Sequence, residues 1–333
     1  MNISKNFIKS GIIDLAQPRL GTKILYKSDE FFGLANRIIN PNEPIWKENV
    51  FDSNGKWMDG WETRRRRKPG HDYIILSLGR KGSISKIDIN TKFFNGNQPQ
   101  YASLEGCYTL DDIQKKNVSW VTILNKSKLK PNNSNFFNIK NKSIFTHIKL
   151  NIFPDGGVAR LRLYGKIDTK KLYFLPNEII ELSSILNGTS IIAVNNEHFG
   201  KAENILAPGK AINMGDGWET RRRRSKGYDW VIFKFGISGI VNNISIDTNH
   251  FKGNYPEYCT IQASYIDDEK KFSIKQLINN SNKWKLMLNK EYLKPNYEHF
   301  FHNELLRNKK LNYIKLNIYP DGGISRINIF GKK

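Results

Sequence analysis

The chain has 333 residues, of which 39% are hydrophobic and 12% aromatic, and this composition excludes an intrinsically disordered protein. Its 53 lysines and arginines against 31 aspartates and glutamates give a net charge of +22, which predicts a field that attracts anions, either small carboxylates or nucleic acid. No stretch approaches the roughly 20 apolar residues of a membrane helix and no signal-peptide run begins the chain, so we expect a cytoplasmic protein without a membrane partner.

In chain order, the predicted elements of the first half are almost all strands. Residues 28–39 are at most a short helix at a domain edge. Residues 73–78 and 84–89 are rich in isoleucine and leucine, which is typical of strands. Residues 148–152 alternate apolar and polar side chains, and the turn sequence Pro-Asp-Gly-Gly follows at 154–157. This stretch therefore predicts a β-hairpin.

The second half of the chain repeats the first. The run Asp-Gly-Trp-Glu-Thr-Arg-Arg-Arg-Arg at residues 59–67 recurs unchanged at residues 216–224, an offset of 216 − 59 = 157. This identity, together with a second Pro-Asp-Gly-Gly turn at 320–323, indicates an internal duplication. We therefore predict an all-β protein of two tandem jelly-roll-like β-sandwich domains, residues 1–170 and 171–333.

The sequence gives little support for a bound metal or cofactor. Two cysteines, Cys107 and Cys259, are too few for a disulfide framework or a thiolate zinc site, and we predict that both are ordinary half-buried side chains. The spacing of histidines and acidic residues does not match a metal-binding motif. We expect no metal and no other cofactor.

The repeated motifs resemble those of the allantoicase family. In the first half they are residues 56–67, the Gly-His-Asp of residues 70–72, residues 93–97 and residues 153–157, and the second half has the matching set in the same order. The resemblance covers nearly the whole chain, with Tyr73 standing where tryptophan is expected. It implies a tandem pair of jelly-roll domains and a hydrolase that converts allantoate and water to ureidoglycolate and urea, a step in purine catabolism by the allantoin route.

The arginine motif supplies most of the candidate site residues. Allantoate carries one carboxylate and two ureido groups on one carbon, and an arginine fork binds a carboxylate through two parallel hydrogen bonds. If the motif is extended, Glu62, Arg64 and Arg66 share one face, and we expect Glu62 to pair with an internal guanidinium. The predicted catalytic residues are Glu62, His71 and Asp72. The predicted substrate-binding residues are Trp61, Arg64, Arg66, Glu219, Arg221, Arg223 and His250.

His71 and Asp72 are the candidates for acid–base chemistry, because histidine titrates near neutrality and an aspartate can orient it. The second copy has Tyr228 at the position of His71, so the sequence favours the first copy as the working one. A lone histidine is more often structural, and the arginine run also fits a basic surface edge or an interface. Asp155 and Asp321 fit either the mouth of a site or ordinary turn chemistry.

The alternative to an enzyme is a non-enzymatic tandem β-sandwich module that binds anionic carbohydrate or nucleic acid through its arginines. Such a module loses affinity steeply between low and moderate salt, whereas binding of a single carboxylate responds weakly to salt. We expect the enzyme, with allantoate as its small-molecule partner, no nucleic-acid partner and assembly into a homo-oligomer.

Overall fold

A computed structural model gives the fold of the chain and describes residues 8–111, 113, 118–267, 272–306 and 309–333. The chain divides into two compact units. The first unit is Ile13–Asp168, and the second is Thr169–Lys333 together with the N-terminal segment that ends at Ile12. Within that segment the Lys9 amide donates to the Ile192 carbonyl at 3.0 Å, so the segment pairs with the second unit although it precedes the first in sequence.

The first unit is built of strands β1 to β12. They are β1 (Ile13–Asp14), β2 (Lys23–Lys27), β3 (Phe51–Asp52), β4 (Gly55–Lys56), β5 (Trp61–Glu62), β6 (Asp72–Asn90), β7 (Tyr101–Cys107), β8 (Val121–Lys128), β9 (Ser134–Asn138), β10 (Phe145–Phe153), β11 (Gly157–Val158) and β12 (Arg160–Ile167). Short 3₁₀ turns lie at Pro18–Leu20 and Ala35–Ile39.

The 19-residue strand β6 is long enough to serve both layers of a sandwich. Its first part pairs with β10 and β2, and its last part pairs with β12 and β9, always antiparallel. Gly79 lies between the two parts, where a β-carbon would come within 2.0 Å of the Leu20 carbonyl oxygen, so only glycine fits this close approach. The inner faces are lined by isoleucine and leucine at alternate positions, as a period of two predicts.

The second unit repeats this arrangement with strands β13 to β22. They are β13 (Ile180–Glu181), β14 (Ser190–Val194), β15 (Trp218–Glu219), β16 (Asp229–Asp247), β17 (Tyr258–Ser264), β18 (Lys285–Tyr292), β19 (Glu298–Phe301), β20 (Lys310–Tyr319), β21 (Gly323–Ile324) and β22 (Arg326–Lys332). Its 3₁₀ turns lie at Thr169–Lys171, Ile185–Asn187, Ala202–Leu206 and Met214–Asp216. The strand order β13-β22-β16-β20-β17-β18 matches β1-β12-β6-β10-β7-β8 in the first unit. The prediction of an all-β fold with two similar β-sandwich domains is confirmed.

Helix contributes little to the structure. The predicted short helix over residues 28–39 is reduced to the 3₁₀ turn Ala35–Ile39. The sequence prediction missed α1 (Ile274–Ser281), which lies where the second copy is longer than the first. Its start is fixed by a capping box. The Ser273 hydroxyl oxygen accepts a hydrogen bond from the Gln276 backbone N–H, and the Gln276 side-chain oxygen accepts one from the Ser273 backbone N–H. None of the described helices is long and apolar enough to cross a membrane.

A buried ion pair fixes the start of the repeated motif in each unit. Arg160 on β12 is 1% exposed and bonds the Asp59 carboxylate at 2.6 Å. Arg326 on β22 bonds Asp216 at 2.8 Å in the same way. Trp61, which follows Asp59 by two residues, is fully buried. Because an unpaired charge in this position would be strongly destabilising, each pair holds its motif against the sheet.

Candidate active site

Glu62, at the end of β5, is held by backbone pairing with Gly33 on one side and with β11 on the other, an arrangement called here the backbone frame. Its amide donates to the Gly33 carbonyl, and its carbonyl accepts from the Gly33 amide, both at 3.1 Å. On the other side β5 pairs with β11, where Gly157 is the partner of Glu62. A β-carbon on Gly33 would lie 2.4 Å from a backbone carbonyl oxygen, so this approach requires glycine. Glu219 occupies the same frame in the second unit.

The Glu62 carboxyl group is paired with an amide. Asn97 Nδ2 donates to Glu62 Oε1 at 2.8 Å, and Asn254 makes the same bond to Glu219 Oε1. Within the described part of the chain Glu62 Oε2 has no hydrogen-bond partner, so it is available to a ligand. Burial raises the pKa of Glu62, and the bond from Asn97 opposes this effect. A half-buried carboxyl group with one oxygen free can accept a hydrogen bond from a ligand.

The turn after β10 is tied to the arginine motif by its aspartate. Asp155 Oδ2 accepts the Arg66 amide at 2.7 Å. In the second unit Asp321 Oδ2 accepts the Arg223 amide, also at 2.7 Å. Both aspartates therefore hold the backbone of the motif in place, which is a structural role beyond the turn itself.

The predicted pairing of Glu62 with an arginine is wrong. Strand β5 ends at Glu62, so the side-chain alternation expected along the motif stops there. Arg64 instead bonds the Asp29 carboxylate, with its Nε at 3.1 Å and its Nη2 at 2.9 Å. Arg66 bonds the Asp72 carboxylate at 2.8 Å. Both guanidinium groups thus have carboxylate partners within the first unit, supplied by other segments of the chain.

The second unit repeats one of these pairs and not the other. Arg223 bonds Asp229, as its counterpart does in the first unit. Asn196 stands at the position of Asp29, and its Oδ1 accepts the Arg221 backbone amide at 3.4 Å. Among the described residues no carboxylate bonds the Arg221 guanidinium. The motif of the second unit therefore carries more uncompensated positive charge than that of the first.

His71 and Asp72 do not form an acid–base pair. Asp72 is 3% exposed, and its carboxylate accepts hydrogen bonds from Arg66 and from Ser28 Oγ. His71 Nε2 lies 3.2 Å from Asn151 Oδ1, so a different side chain holds the ring. Neighbouring residues at the start of a strand point to opposite faces, which explains the separation. The reason for favouring the first copy, a histidine oriented by an aspartate, is therefore not met in the structure.

Two other predicted substrate-binding residues have contacts that hold the fold. Trp61 is fully buried, and its Nε1 donates to the Asp29 carbonyl at 2.7 Å. His250 Nε2 lies 2.9 Å from the Ala211 carbonyl oxygen. The His250 backbone has a φ of 71°, and its amide donates to Asn296 Oδ1 at 2.8 Å. These contacts position both rings without a ligand.

A cavity of about 450 Å³ opens beside Glu219 in the second unit. Its walls are formed by Phe199, Glu219, Thr220, Arg222, Gly253, Asn254, Tyr255, Glu257, Pro320, Asp321 and Gly322. Arg222 is exposed and has no ion-pair partner among the residues that the structure describes. The cavity therefore combines a carboxyl group, its amide partner and a guanidinium, which together can recognise a carboxylate and an amide-like group on one ligand.

The corresponding position in the first unit is partly covered. Phe199 at the cavity is 64% exposed, whereas its counterpart Phe32 is half-buried. The hairpin β3–β4 lies against Phe32, since a β-carbon on Gly55 would be 3.8 Å from the ring, and Asn54 Nδ2 donates to the Phe31 carbonyl at 2.8 Å. The first copy is ten residues longer before its motif (167 − 157 = 10), and this hairpin lies in that stretch. The open cavity makes the second unit the better candidate for a substrate site.

The residues predicted from the sequence do not include the cavity residues Arg222, Asn254 and Glu257. Arg222 was placed by strand alternation on the face away from the glutamate. Asn254 lies in a repeated segment, and its identity with Asn97 at the same offset was the signal that could have found it. Glu257 corresponds to Gln100, so repetition could not have marked it. No group of three or more histidines, cysteines or acidic residues is arranged to hold a metal ion in the described ranges.

The sequence and the fold match known proteins along nearly the whole chain. The family model for the allantoicase repeat matches residues 13–168 and 180–333. The chain is 44% identical over 320 residues to a protein named probable allantoicase from Pseudomonas fluorescens (strain SBW25), covering 96% of each chain. It is 45% identical over 319 residues to one from Acinetobacter baumannii (strain AYE), covering 96% of this chain and 93% of that protein. The crystal structure of allantoicase from Saccharomyces cerevisiae superposes with a TM-score of 0.80 at 32% identity, covering 97% of this chain and 94% of that one. The chain therefore belongs to the allantoicase family, with one repeat in each of its two units.

Proposed function

We propose that this protein hydrolyses allantoate to ureidoglycolate and urea, a step of purine catabolism by the allantoin route, and that the cavity beside Glu219 is its substrate site. One observation carries this placement. The Glu219 carboxyl group, held by Asn254, lines a cavity that also contains the guanidinium of Arg222, which has no ion-pair partner among the described residues. Membership of the allantoicase family supports the reaction.

Arg222 is proposed to bind the substrate carboxylate. Its planar fork can donate two parallel hydrogen bonds to a carboxylate and remains charged at any working pH. The neighbouring Arg223 cannot serve in this way, because its guanidinium bonds the buried carboxylate of Asp229. Arg222 is thus the guanidinium of the motif that both lines the cavity and lacks a carboxylate partner among the described residues.

Glu219 is proposed to transfer the protons of the reaction. Its carboxyl group first protonates the leaving nitrogen, while the lone pair on the other ureido nitrogen forms a C=N bond and expels urea. Water then adds to the central carbon, the C=N electron pair returns to nitrogen, and the Glu219 carboxylate takes the proton that the water loses. One carboxyl group therefore serves both steps and is regenerated. Asn254, which donates to Oε1, leaves the second oxygen to face the substrate.

A polyanion-binding role is less well supported by the arginine contacts. Arg64, Arg66 and Arg223 each bond a carboxylate of their own unit, so they contribute little to a continuous basic surface. We propose a small anionic substrate and no nucleic-acid partner. The initial rate at a fixed low allantoate concentration is expected to change less than about 3-fold between low and moderate salt, because a single carboxylate is bound. Only the ionic strength is varied, and the buffer is the same throughout.

The direct test is to incubate the pure protein with allantoate and to measure the release of urea. Urea release by the wild type, lost in Glu219→Gln and retained in the matched first-unit variant Glu62→Gln, supports the proposal. A wild type that releases no urea contradicts it. Repeating the assay in the presence of a chelator tests the separate prediction that no metal is required.

A cytoplasmic location and assembly into a homo-oligomer are also proposed. Both cysteines are buried free thiols, which suits a reducing compartment. The hairpin region of the first unit exposes Trp46 and Phe51, with 45% and 66% of their surfaces accessible, and exposed aromatic residues of this kind favour protein contacts. Fractionation and light scattering test the two proposals.

A further inference from the structure

We propose that Glu257 binds the second ureido group of the substrate and so determines the preference for an acid that carries two ureido groups. This inference rests on the proposed function of the cavity beside Glu219. Glu257 is one of the residues that line that cavity.

The backbone of Glu257 is fixed on both sides. Its amide donates to the Tyr319 carbonyl at 2.8 Å, and its carbonyl accepts the Leu293 amide at 3.0 Å. The side chain is exposed and has no side-chain hydrogen bond or ion pair within the described part of the chain. A carboxylate carried by a fixed backbone at a cavity wall, with no partner for its oxygens among the described residues, can accept hydrogen bonds from a ligand.

The charged groups of the cavity match the groups of the substrate. Asp321 is engaged by the Arg223 amide, so the groups that remain are the Arg222 guanidinium and the carboxyl groups of Glu219 and Glu257. The substrate offers one carboxylate and two ureido groups. A ureido group presents N–H and NH₂ donors side by side, and a carboxylate accepts both through two parallel hydrogen bonds. With Glu219 acting on the ureido group that leaves, Glu257 is left for the one that stays.

The first unit supplies a natural control for this assignment. Gln100 occupies the position of Glu257, at the offset of 257 − 100 = 157. Its backbone makes the same two bonds, from its amide to the Phe153 carbonyl at 3.1 Å and from the Leu129 amide to its carbonyl at 2.9 Å. The frame is thus shared and only the side chain differs. A glutamine amide has one acceptor oxygen and one NH₂ donor, so it cannot accept the two parallel hydrogen bonds that a carboxylate accepts from a ureido group.

The test compares Glu257→Gln with the wild type on two ligands. Allantoate is assayed by urea release, and ureidoacetate, which has one ureido group and one carboxylate, is assayed as a competitive inhibitor. We expect kcat/KM for allantoate to fall at least about 10-fold, mainly through KM, because two charge-assisted hydrogen bonds are lost. The ureidoacetate inhibition constant should change less, since this ligand can place its single ureido group at Glu219. The preference for allantoate, measured as kcat/KM for allantoate multiplied by the inhibition constant of ureidoacetate, should therefore fall about 10-fold or more.

Two further variants keep the outcome clear. Glu257→Ala, which removes the acceptors without adding a donor, should show the same loss of preference for allantoate. Gln100→Glu in the first unit should leave both constants within about 2-fold of the wild type. An unchanged kcat/KM in Glu257→Gln, or an equal loss for both ligands, overturns the role of Glu257 while leaving the proposed function in place. A wild type without urea release overturns the proposed function and this inference with it.

Discussion

Replacing Asp88 with asparagine is expected to stabilise the first unit at neutral pH. Asp88 lies in β6 with 5% of its surface exposed, and its buried Oδ1 has no hydrogen-bond partner among the described residues. Burial, the largest effect, raises the pKa of Asp88 from 3.8 to about 6, although hydrogen bonds from the Ser134 side chain and the Asn135 backbone oppose the rise, as does the nearby charge of Arg162. A carboxyl group with a raised pKa holds its proton more tightly in the folded state. Its ionisation therefore costs stability as the pH rises from about 4 through about 6.

The size of this effect follows from the two pKa values. A difference of one in pKa corresponds to about 1.4 kcal/mol, so a rise from 3.8 to about 6 costs at most about 3 kcal/mol at pH 7 and nothing below about pH 4. Urea denaturation at several pH values should show Asp88→Asn to be more stable than the wild type at pH 7, with the difference shrinking toward pH 4. The exposed Asp52→Asn is the control. A difference that stays constant with pH, or a wild type that is the more stable at pH 7, refutes the reasoning.

Three further variants test the frame of the site. Arg160→Ala should lower the free energy of unfolding by about 3 to 5 kcal/mol, because it leaves the Asp59 carboxylate buried and unpaired, and a denaturation curve measures this loss. Arg222→Lys should raise KM for allantoate at least about 5-fold, since a lysine cannot form the two-pronged contact, whereas Arg65→Lys in the first unit should not. Gly200→Ala should lower kcat in a protein that still folds, because the added β-carbon would lie 2.1 Å from a backbone carbonyl oxygen and displace Glu219.

The architecture could be predicted from the sequence because its signals are local and repeated. The alternation of apolar residues over 148–152 predicts the strand observed as β10, and the duplicated motif predicts two similar sandwiches. The helix α1 escaped because it lies in the longer stretch of the second copy, where no repeat could mark it. Its local signals were the capping serine and glutamine, three residues apart at 273 and 276, and the helical spacing of Ile274, Leu277 and Ile278.

The candidate site could be predicted only in part because its contacts join distant segments. The motif itself was found, but the partner of Arg64 is Asp29, which lies 35 residues away, and nothing near the motif indicates that choice. The partner of Glu62 is Asn97, again 35 residues away. Strand alternation does not apply beyond Glu62, because β5 ends there and the chain leaves the sheet. Which side chains meet at such a site depends on the packed fold.

The turnover numbers for allantoate in Glu219→Gln and Glu62→Gln, with melting temperatures recorded alongside, decide whether Glu219 is the working glutamate. The two glutamates have the same backbone frame and the same asparagine partner, so the pair is closely matched. We expect Glu219→Gln to lower kcat by at least about 10²-fold without loss of stability, because a proton-transfer group is removed, while Glu62→Gln stays within about 3-fold of the wild type. A large loss of kcat in Glu62→Gln with a near-normal kcat in Glu219→Gln would instead place the working site in the first unit.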